Sequence, residues 1–374
     1  MPHVEVNLSC PVHDSFRVQQ LAGLFDVPLT ERASVSFGAD VPGPDEDWQI
    51  GLIVGPSGSG KSTIARQAFA GNLVGEEPWP TDRAVVDCFG DASVKQITGL
   101  LTSVGFSSPP SWTKPYHVLS GGERFRCDLA RGLSRAFAAA SLQSGDSAPQ
   151  PIVAFDEFTS VVDRNVAQIG SAAVARAIRS GQIGCRFVAV TCHYDVAEWL
   201  EPDWVLDMSM RSCQRRRLRR PAIELELFRC RHALWKMFAP HHYLSGALSR
   251  GARCFVAMWK GNPVAFCATL TVIGRKHHWR ISRIVTLPDY QGVGIGMRVA
   301  EAVGVLHLEQ GHRFSVTASH PALIAHCRRS PRWRTVRVLK TGSRTDRGFI
   351  SNYRGSQGRS VVSFEYLGQD DRDG

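Results

Sequence analysis

Hydrophobic and polar residues alternate in two different styles along this chain. In the first half, unbroken apolar runs at Ile50 to Val54, Ile152 to Phe155 and Phe187 to Thr191 read as strands buried on both faces. Helical spacing separates them: Ile64 to Ala70 continues the first run as a helix, and Phe125, Leu129 and Leu133 recur every four residues. Val85-Val86-Asp87 reads as a further short strand, and Asp91 or Ser93 caps a helix through Leu100 and Leu101. Ahead of these, the alternating segments Ser15 to Val18 and Val35 to Phe37 predict a small antiparallel sheet, broken by Gly38 and Pro42-Gly43-Pro44. Ser107 to Pro115 is a proline-broken loop, and Ser141 to Pro151 is a polar break.

The second half alternates more. Ala222 to Phe228 reads as a strand, Arg231 to Phe238 as a helix and Pro240-His241-His242-Tyr243 as a loop. Cys254 to Met258 and Pro263 to Val272 form a hairpin joined by Lys260-Gly261-Asn262. Trp279 to Leu287 is a strand, Val299, Val303 and Leu306 mark a helix, and Phe314 to Thr317 is the next strand. Trp333 to Leu339 and Ser360 to Tyr366 are closing strands around a basic, glycine-rich loop from Thr341 to Arg359.

At 374 residues the chain is long enough for two cored domains, and 43% hydrophobic with 21% charged residues is a globular composition. No apolar run approaches the ~20 residues of a membrane helix, and Met1 to Glu5 lacks the marks of a secretory signal, so a cytoplasmic protein is expected. Ten cysteines include no C-x-x-C pair, which leaves no zinc-ribbon or redox motif; Cys10-Pro11-Val12-His13 is too sparse to hold a metal. Charge changes the picture more. Residues 1–207 hold 15 Lys and Arg against 24 Asp and Glu, whereas residues 208–374 hold 29 against 10. The basic half points to a polyanion, with nucleic acid first, or to docking on the acidic half of its own chain. Arg211, Arg215, Arg216, Arg217, Arg219 and Arg220 crowd the junction; with no aromatic among them, they suit phosphates or a solvated linker rather than base stacking.

Gly55-Pro56-Ser57-Gly58-Ser59-Gly60-Lys61-Ser62-Thr63 fills every position of the pattern G-x-x-x-x-G-K-[ST] between a strand and a helix. Backbone N–H groups of Gly55, Ser57, Gly58 and Gly60 converge on phosphates, Lys61 reaches the β- and γ-phosphates, and Ser62, followed by Thr63, is placed to ligate Mg²⁺. Phe25 and Phe37 are the candidates for stacking on an adenine. Leu119-Ser120-Gly121-Gly122-Glu123 opens the helix of Phe125, so Ser120, Gly121 and Gly122 offer free donors to a second anion.

With that LSGGE sequence and the phosphate loop, residues 1–210 resemble the ABC-class ATPases. The resemblance implies that Asp156 supports Mg²⁺, that Glu157 orients or deprotonates the attacking water, that Asp163 is the D-loop acid and that His193 is the switch histidine at the γ-phosphate. It also implies a homodimer in which ATP is sandwiched between the phosphate loop of one copy and the signature of another. Only 59 positions separate Lys61 from Ser120, which disfavours a membrane-docking transporter subunit. Gln96, the only glutamine between the cradle helix and the signature, falls inside a predicted helix rather than at a strand end, and leaves the family's Q-loop unassigned.

Beyond the 211–221 junction, Pro288 to Gly296 is a second glycine turn between a strand and a helix. Gln291, Gly292, Gly294 and Gly296 resemble the Q/R-x-x-G-x-G/A motif of the GNAT acyltransferases, which implies a cradle for the pyrophosphate of acyl-CoA, acetyl-CoA being the simplest donor. A dinucleotide fingerprint does not fit, because no β-α-β unit with an acidic residue follows. Of the family's catalytic groups, the central strand offers Arg280, Ser282 and Arg283 but no carboxylate before Asp289. The resemblance implies that His241, His242 and Tyr243 border the acceptor cleft, which makes His242 and Tyr243 the first candidates for acid and base, and that Ser319, His320 and Cys327 lie where the leaving group would emerge.

The expected fold class is α/β: a P-loop ABC-type ATPase domain over 1–210, then a GNAT-like α+β domain over 222–368 and a frayed tail over 369–374. The fusion resembles bacteriophage and prophage proteins, with a weaker similarity to Mom-type proteins that modify adenine in phage DNA. The expected function is an ATP-hydrolysing protein that acylates nucleic acid. The alternative is an ATPase whose second half kept the acyltransferase fold only to bind nucleic acid or a partner.

Overall fold

The computed structural model describes residues 2–30, 32–74, 77–142, 150–215, 220–242, 247–340 and 360–368. The expected loop over 341–359 and tail over 369–374, together with Arg216, Arg217, Arg219 and Tyr243, lie outside them. The chain forms two compact units, each assembled from separate stretches. One comprises Met1–Glu77, Gly132–Val161 and Ile178–Arg220; the other comprises Pro78–Arg131, Val162–Ala177 and Pro221–Gly374.

The first unit is built on a six-stranded sheet. Its spatial order is Leu73–Val74, Ile152–Phe155, Arg186–Thr191, Ile50–Val54, Trp204–Asp207 and Ser212–Gln214. Every neighbouring pair is parallel except the last. Ile50–Val54 is buried at all five positions because it lies between two strands, which is why it reads as a continuous apolar run. Trp48, Phe69 and Trp204 meet on this core, with Trp48 edge-on to Trp204 at 5.5 Å. The Asp203 carboxylate ties down the entrance of the central strand: it accepts from the amides of Gln49 (2.8 Å) and Ile50 (3.0 Å) and pairs with Arg179 at 2.7 Å.

The expected N-terminal antiparallel sheet is a two-stranded ribbon, His3–Pro11 against Arg32–Asp40. Ser15 to Val18 is not one of its strands. The Ser15 hydroxyl instead accepts from the Val18 amide and caps a helix over Phe16–Phe25. Side-chain capping overrides the alternation that suggested a strand.

The second unit carries a seven-stranded sheet in the order Trp333–Lys340, Ser360–Tyr366, Arg313–Ala318, His278–Thr286, Asn262–Thr271, Arg253–Trp259 and Glu226–Cys230. All pairs are antiparallel but one: His278–Thr286 runs parallel to Arg313–Ala318, joined by the helix Ile295–Glu309. That is a β-α-β crossover. Its second strand, Arg313 to Ala318, contains no acid, so the dinucleotide reading still fails. Parallel pairing stops at Ile281 opposite Val316, although the first strand runs on to Thr286. Ser282 is an extra residue in the register against Thr269 and Ala268, a β-bulge whose hydroxyl donates to the Ala268 carbonyl at 3.1 Å.

The same unit holds helix Val94–Ser103, short helix Pro109–Trp112 and the start of helix Gly121–Leu142. Ser93 and Gln96 form a capping box, so Gln96 is occupied at a helix start. Val85–Cys88 is a 3₁₀ turn, not the expected strand; among the described residues it has no sheet neighbour to supply ladder partners. Trp79 stacks on Tyr116 at 4.7 Å, both donate to Asp128 at 2.7 Å, and Arg131 covers the indole at 4.0 Å. Beneath the sheet, the His307 ring is buried between Trp279 and Phe314 and shares a hydrogen bond with Thr269 at 3.2 Å.

Two predictions follow from this packing. A Cβ on Gly51 would fall inside the Trp204 indole, so Gly51→Ala should destabilise the first unit by about 1–3 kcal/mol and lower its melting temperature by several degrees in calorimetry. Burial, aided by Arg253, lowers the His307 pKa from 6.5 to about 4. The unfolded imidazole takes up a proton that the folded one refuses, so stability is whole above pH 6.5 and declines as pH falls toward 4. His307→Phe should flatten that part of the stability profile in denaturant titrations.

Candidate functional site

The carboxyl ends of three adjacent parallel strands meet in the first unit, and each ends in a chemically distinct turn. After Ile50–Val54 comes the phosphate loop, with Gly58 at φ +78° and Gly60 at φ +89°. The space a Cβ would need at Gly58 is open, whereas at Gly60 it is filled by the Phe37 ring at 2.5 Å. Gly60 is thus required for its dihedral and for contact with Phe37; Phe25 is exposed on its helix. Lys61 is buried, and its Nζ donates to the Pro56 carbonyl at 2.7 Å, which curls the loop around the ammonium. The buried Ser59 hydroxyl, which the sequence reading overlooked, has no partner among the described residues. Gly55 lies buried beneath it, Ser57 is exposed at the tip, and Thr63 is half-buried in the following helix.

After Ile152–Phe155 come Asp156 and Glu157. Asp156 Oδ1 accepts from Ser62 Oγ at 3.0 Å and from the Glu157 amide at 3.0 Å. A hydroxyl and a carboxylate so paired are hard oxygen donors, and beside the phosphate loop they suit Mg²⁺. Glu157 itself lies at φ +51° and Thr159 at φ +68°, two non-glycine residues in the left-handed region within one turn. Ser160 Oγ donates to Glu157 Oε2 at 2.6 Å. After Arg186–Thr191 comes His193, whose amide donates to Thr191 Oγ1 at 3.1 Å while its Nδ1 lies 3.5 Å from Thr159 Oγ1. Strand order therefore brings Lys61, Ser62, Asp156, Glu157 and His193 to one edge of one sheet.

The signature residues lie in the second unit. Ser120 and Glu123 form a reciprocal cap: the Ser120 amide and hydroxyl each donate to Glu123 Oε2 at 3.0 Å, and the Glu123 amide returns to Ser120 Oγ at 3.3 Å. Gly121 and Gly122 follow as the first residues of the helix. Asp163 Oδ1 accepts from the amides of Asn165 (2.9 Å) and Val166 (3.1 Å), the pattern of a helix N-cap.

The other glycine turn is also formed. Gly292 lies at φ +92° and Gly294 at φ +90°, the latter capping the helix Ile295–Glu309. A Cβ on Gly296 would approach Thr286 Oγ1 to 2.9 Å. Gln291 spends its side chain on the protein: Nε2 donates to the Thr286 carbonyl at 2.9 Å and Oε1 accepts from the Ser107 amide at 2.7 Å. Beyond Ile281 the strand toward this turn has parted from Arg313–Ala318, which leaves a main-chain edge beside the helix N-terminus. Left-handed glycines at a helix start and a free strand edge fit a phosphate with an extended tail.

His242 is buried edge-on to Trp235 at 5.7 Å. Trp235, His232, Lys236, Leu248 and Arg250 line a cleft of about 400 Å³. His241 acts electrostatically on Asp289, whose carboxyl is raised by partial burial and lowered in part by Arg126. Tyr243 lies outside the described residues. Cys327 is fully buried and its thiol is pushed up to about 12 by desolvation, so it stays a neutral thiol. At the junction, Arg215 pairs with Glu46 and the Arg220 amide donates to Glu201. Among the described residues no group of three or more His, Cys, Asp or Glu side chains gathers to hold a metal, and no helix is long and apolar enough to cross a membrane.

The phosphate-loop geometry separates two roles. Lys61→Ala should weaken ATP binding at least tenfold with or without Mg²⁺, whereas Asp156→Asn should weaken it only when Mg²⁺ is present. Fluorescent-nucleotide titrations with and without EDTA read the difference.

Residues 220–325 match the model of the acetyltransferase (GNAT) family. A search of curated proteins found no match. Among solved structures, the chain is similar to an IAA acetyltransferase from Bacillus cereus, at 16% identity and TM-score 0.29 over 38% of this chain and 99% of that one. It is similar to a Bacillus subtilis acetyltransferase in complex with CoA, at 12% identity and TM-score 0.30 over 39% of this chain and 98% of that one. It is also similar to a dimeric bacterial ABC transporter cassette, at 15% identity and TM-score 0.35 over 47% of this chain and 87% of that one. The match to the GNAT acetyltransferase family model thus lies within the C-terminal part of the chain.

Proposed function

We propose that this protein is an ATP-hydrolysing ABC-class enzyme whose basic C-terminal part transfers an acyl group from acyl-CoA to a nucleic acid, as a bacteriophage-type DNA-modifying protein would. The observation that carries the ATPase reading is the Ser62 to Asp156 hydrogen bond at the mouth of the phosphate loop, because it pairs two Mg²⁺-type donors beside Lys61. Mg²⁺ would supply charge neutralisation between the phosphates. Lys61 exchanges the Pro56 carbonyl for phosphate oxygens, and Ser62 and Asp156 hold the metal. Glu157 accepts the proton of the attacking water, and His193 donates toward the terminal phosphate. Ser120, Gly121, Gly122 and Asp163 of a second copy would close the site, which makes a homodimer the working form.

In the transfer half, Gly292, Gly294 and Gly296 present amides to the acyl-CoA pyrophosphate while the free edge after Ile281 pairs with its tail. His242 and Tyr243 serve as the base that takes the amine's proton and the acid that protonates the departing CoA thiolate. The cleft lined by Trp235, with His232, Lys236 and Arg250 on its walls, suits a phosphate-bearing acceptor. The Arg-rich junction and the excess of 29 Lys and Arg over 10 Asp and Glu after residue 207 support a polyanionic partner.

A second reading is favoured by one specific observation: the Gln291 side chain is engaged by Thr286 and Ser107. It takes the C-terminal part as a binding module without transfer. The readings part in one experiment. ATP turnover should rise when DNA or RNA is added and fall back as salt increases under both. Nucleoside mass spectrometry of cells making the protein should show an added acyl mass, absent with Lys61→Ala, only under the first. A nucleoside profile identical to that control removes the transferase reading. ATP with Glu157→Gln should shift the protein to a dimer in light scattering, and a persistent monomer removes the sandwich.

A further inference from the structure

Glycine is needed in a phosphate cradle because the ligand must come where a Cβ would stand. At Gly292 that place is already taken. A Cβ there would lie 2.7 Å from the Gly105 Cα and 2.7 Å from the Ala173 Cβ. The approach is reciprocal: Gly105, at φ +86°, has the Gln291 carbonyl oxygen 2.8 Å from its own Cβ position. At Gly294, the Arg176 Nη1 occupies the corresponding place at 2.8 Å and donates to the Gly292 carbonyl at 3.4 Å. The Ser107 amide binds Gln291 Oε1 at 2.7 Å, and the Ser107 backbone is also hydrogen-bonded by His320. All these residues belong to one compact unit, in which the stretches 78–131 and 162–177 pack with the C-terminal part.

Two features mark this packing as strained. Arg176 puts a cation at the N-terminus of a 15-residue helix, where the dipole favours an anion. Arg126 is buried at 1% exposure, with Nε and Nη2 lacking partners among the described residues. Its Nη1 bonds the Gly122 carbonyl at 3.2 Å and lies 4.0 Å from Asp289. Glu123 and Asp163 also act on it electrostatically, so one guanidinium is shared by the signature, the following acid and the residue two before Gln291.

We propose that the segment Gly105–Ser107 is an internal plug in the acyl-CoA pyrophosphate loop, so that acyl-CoA and this segment of the ATPase half compete for Gln291 and Gly292. The proposal rests on reading that loop as an acyl-CoA cradle. It gives the fusion a physical sense: the stretch just ahead of the signature helix decides whether the transfer half can take its donor. Arg126, bonded to the first turn of that helix, is the route by which the signature reaches the loop.

The test is calorimetric titration of the full chain with acetyl-CoA. Ser107→Pro removes the donor to Gln291, and Gly105→Ala drives a methyl against the Gln291 carbonyl; each should bind at least tenfold more tightly than wild type. Adding Gly296→Val to either variant should abolish that binding. If wild type and both variants bind equally and Gly296→Val still abolishes binding, the cradle stands and the plug is overturned. Weaker binding in the variants overturns it too, since the segment would then be part of the ligand site. If nothing binds, the cradle reading and the plug fall together. Should either variant misfold, hydrogen exchange on wild type decides: acetyl-CoA must speed exchange at Ser107, and unchanged or slower exchange overturns the plug.

Discussion

The constraint on which this structure depends is that a tight turn from strand to helix needs left-handed backbone, which a residue without a Cβ adopts freely. Both of its glycine turns sit between a strand and a helix, and both use residues in the left-handed region: Gly58 and Gly60 in one, Gly292 and Gly294 in the other. They differ in what faces them. Gly58 is open, while Gly292 and Gly294 meet Gly105, Ala173 and Arg176. The same backbone solution is therefore displayed once and covered once.

Around the open turn, topology does the assembling. Parallel order places Ile152–Phe155, Arg186–Thr191 and Ile50–Val54 side by side, so acids, histidine and lysine that are far apart in the chain end on one edge. The turn after Phe155 then holds Glu157 and Thr159 at positive φ. Strain of this kind, on the order of 1–3 kcal/mol per residue, persists only where surrounding bonds over-determine it. Here the Phe158 amide on Val190 and the Ser160 hydroxyl on Glu157 do so.

In the second unit the decisive feature is a pairing that stops. Had His278–Thr286 stayed in register with Arg313–Ala318, no main-chain edge would face the helix start; divergence after Ile281 and the bulge at Ser282 free it. The stretches 78–131 and 162–177 pack into this unit through a buried arginine, a glutamine side chain and two opposed glycines.

Local order in the chain was enough to establish the elements whose signals are local. The buried run before the phosphate loop, the cap at Ser93, the helix after Gly122, the hairpin at Lys260 and Gly261 and the strand-turn-helix at Gln291 depend on neighbours a few residues away. Where the sequence reading went astray, at Ser15 and at Val85 to Asp87, a hydroxyl cap and the lack of a sheet neighbour among the described residues outweighed side-chain pattern. Tertiary structure alone decided that Phe37 would fill the space above Gly60, that the Ser59 hydroxyl would be buried without a partner among the described residues and that Gln291 would bind Ser107. It also set Gly105 against Gly292, a contact between residues nearly two hundred positions apart. No periodicity or motif encodes such a meeting, because a glycine's signal is the absence of a side chain, and what enters that absence is chosen by the packing of the whole unit.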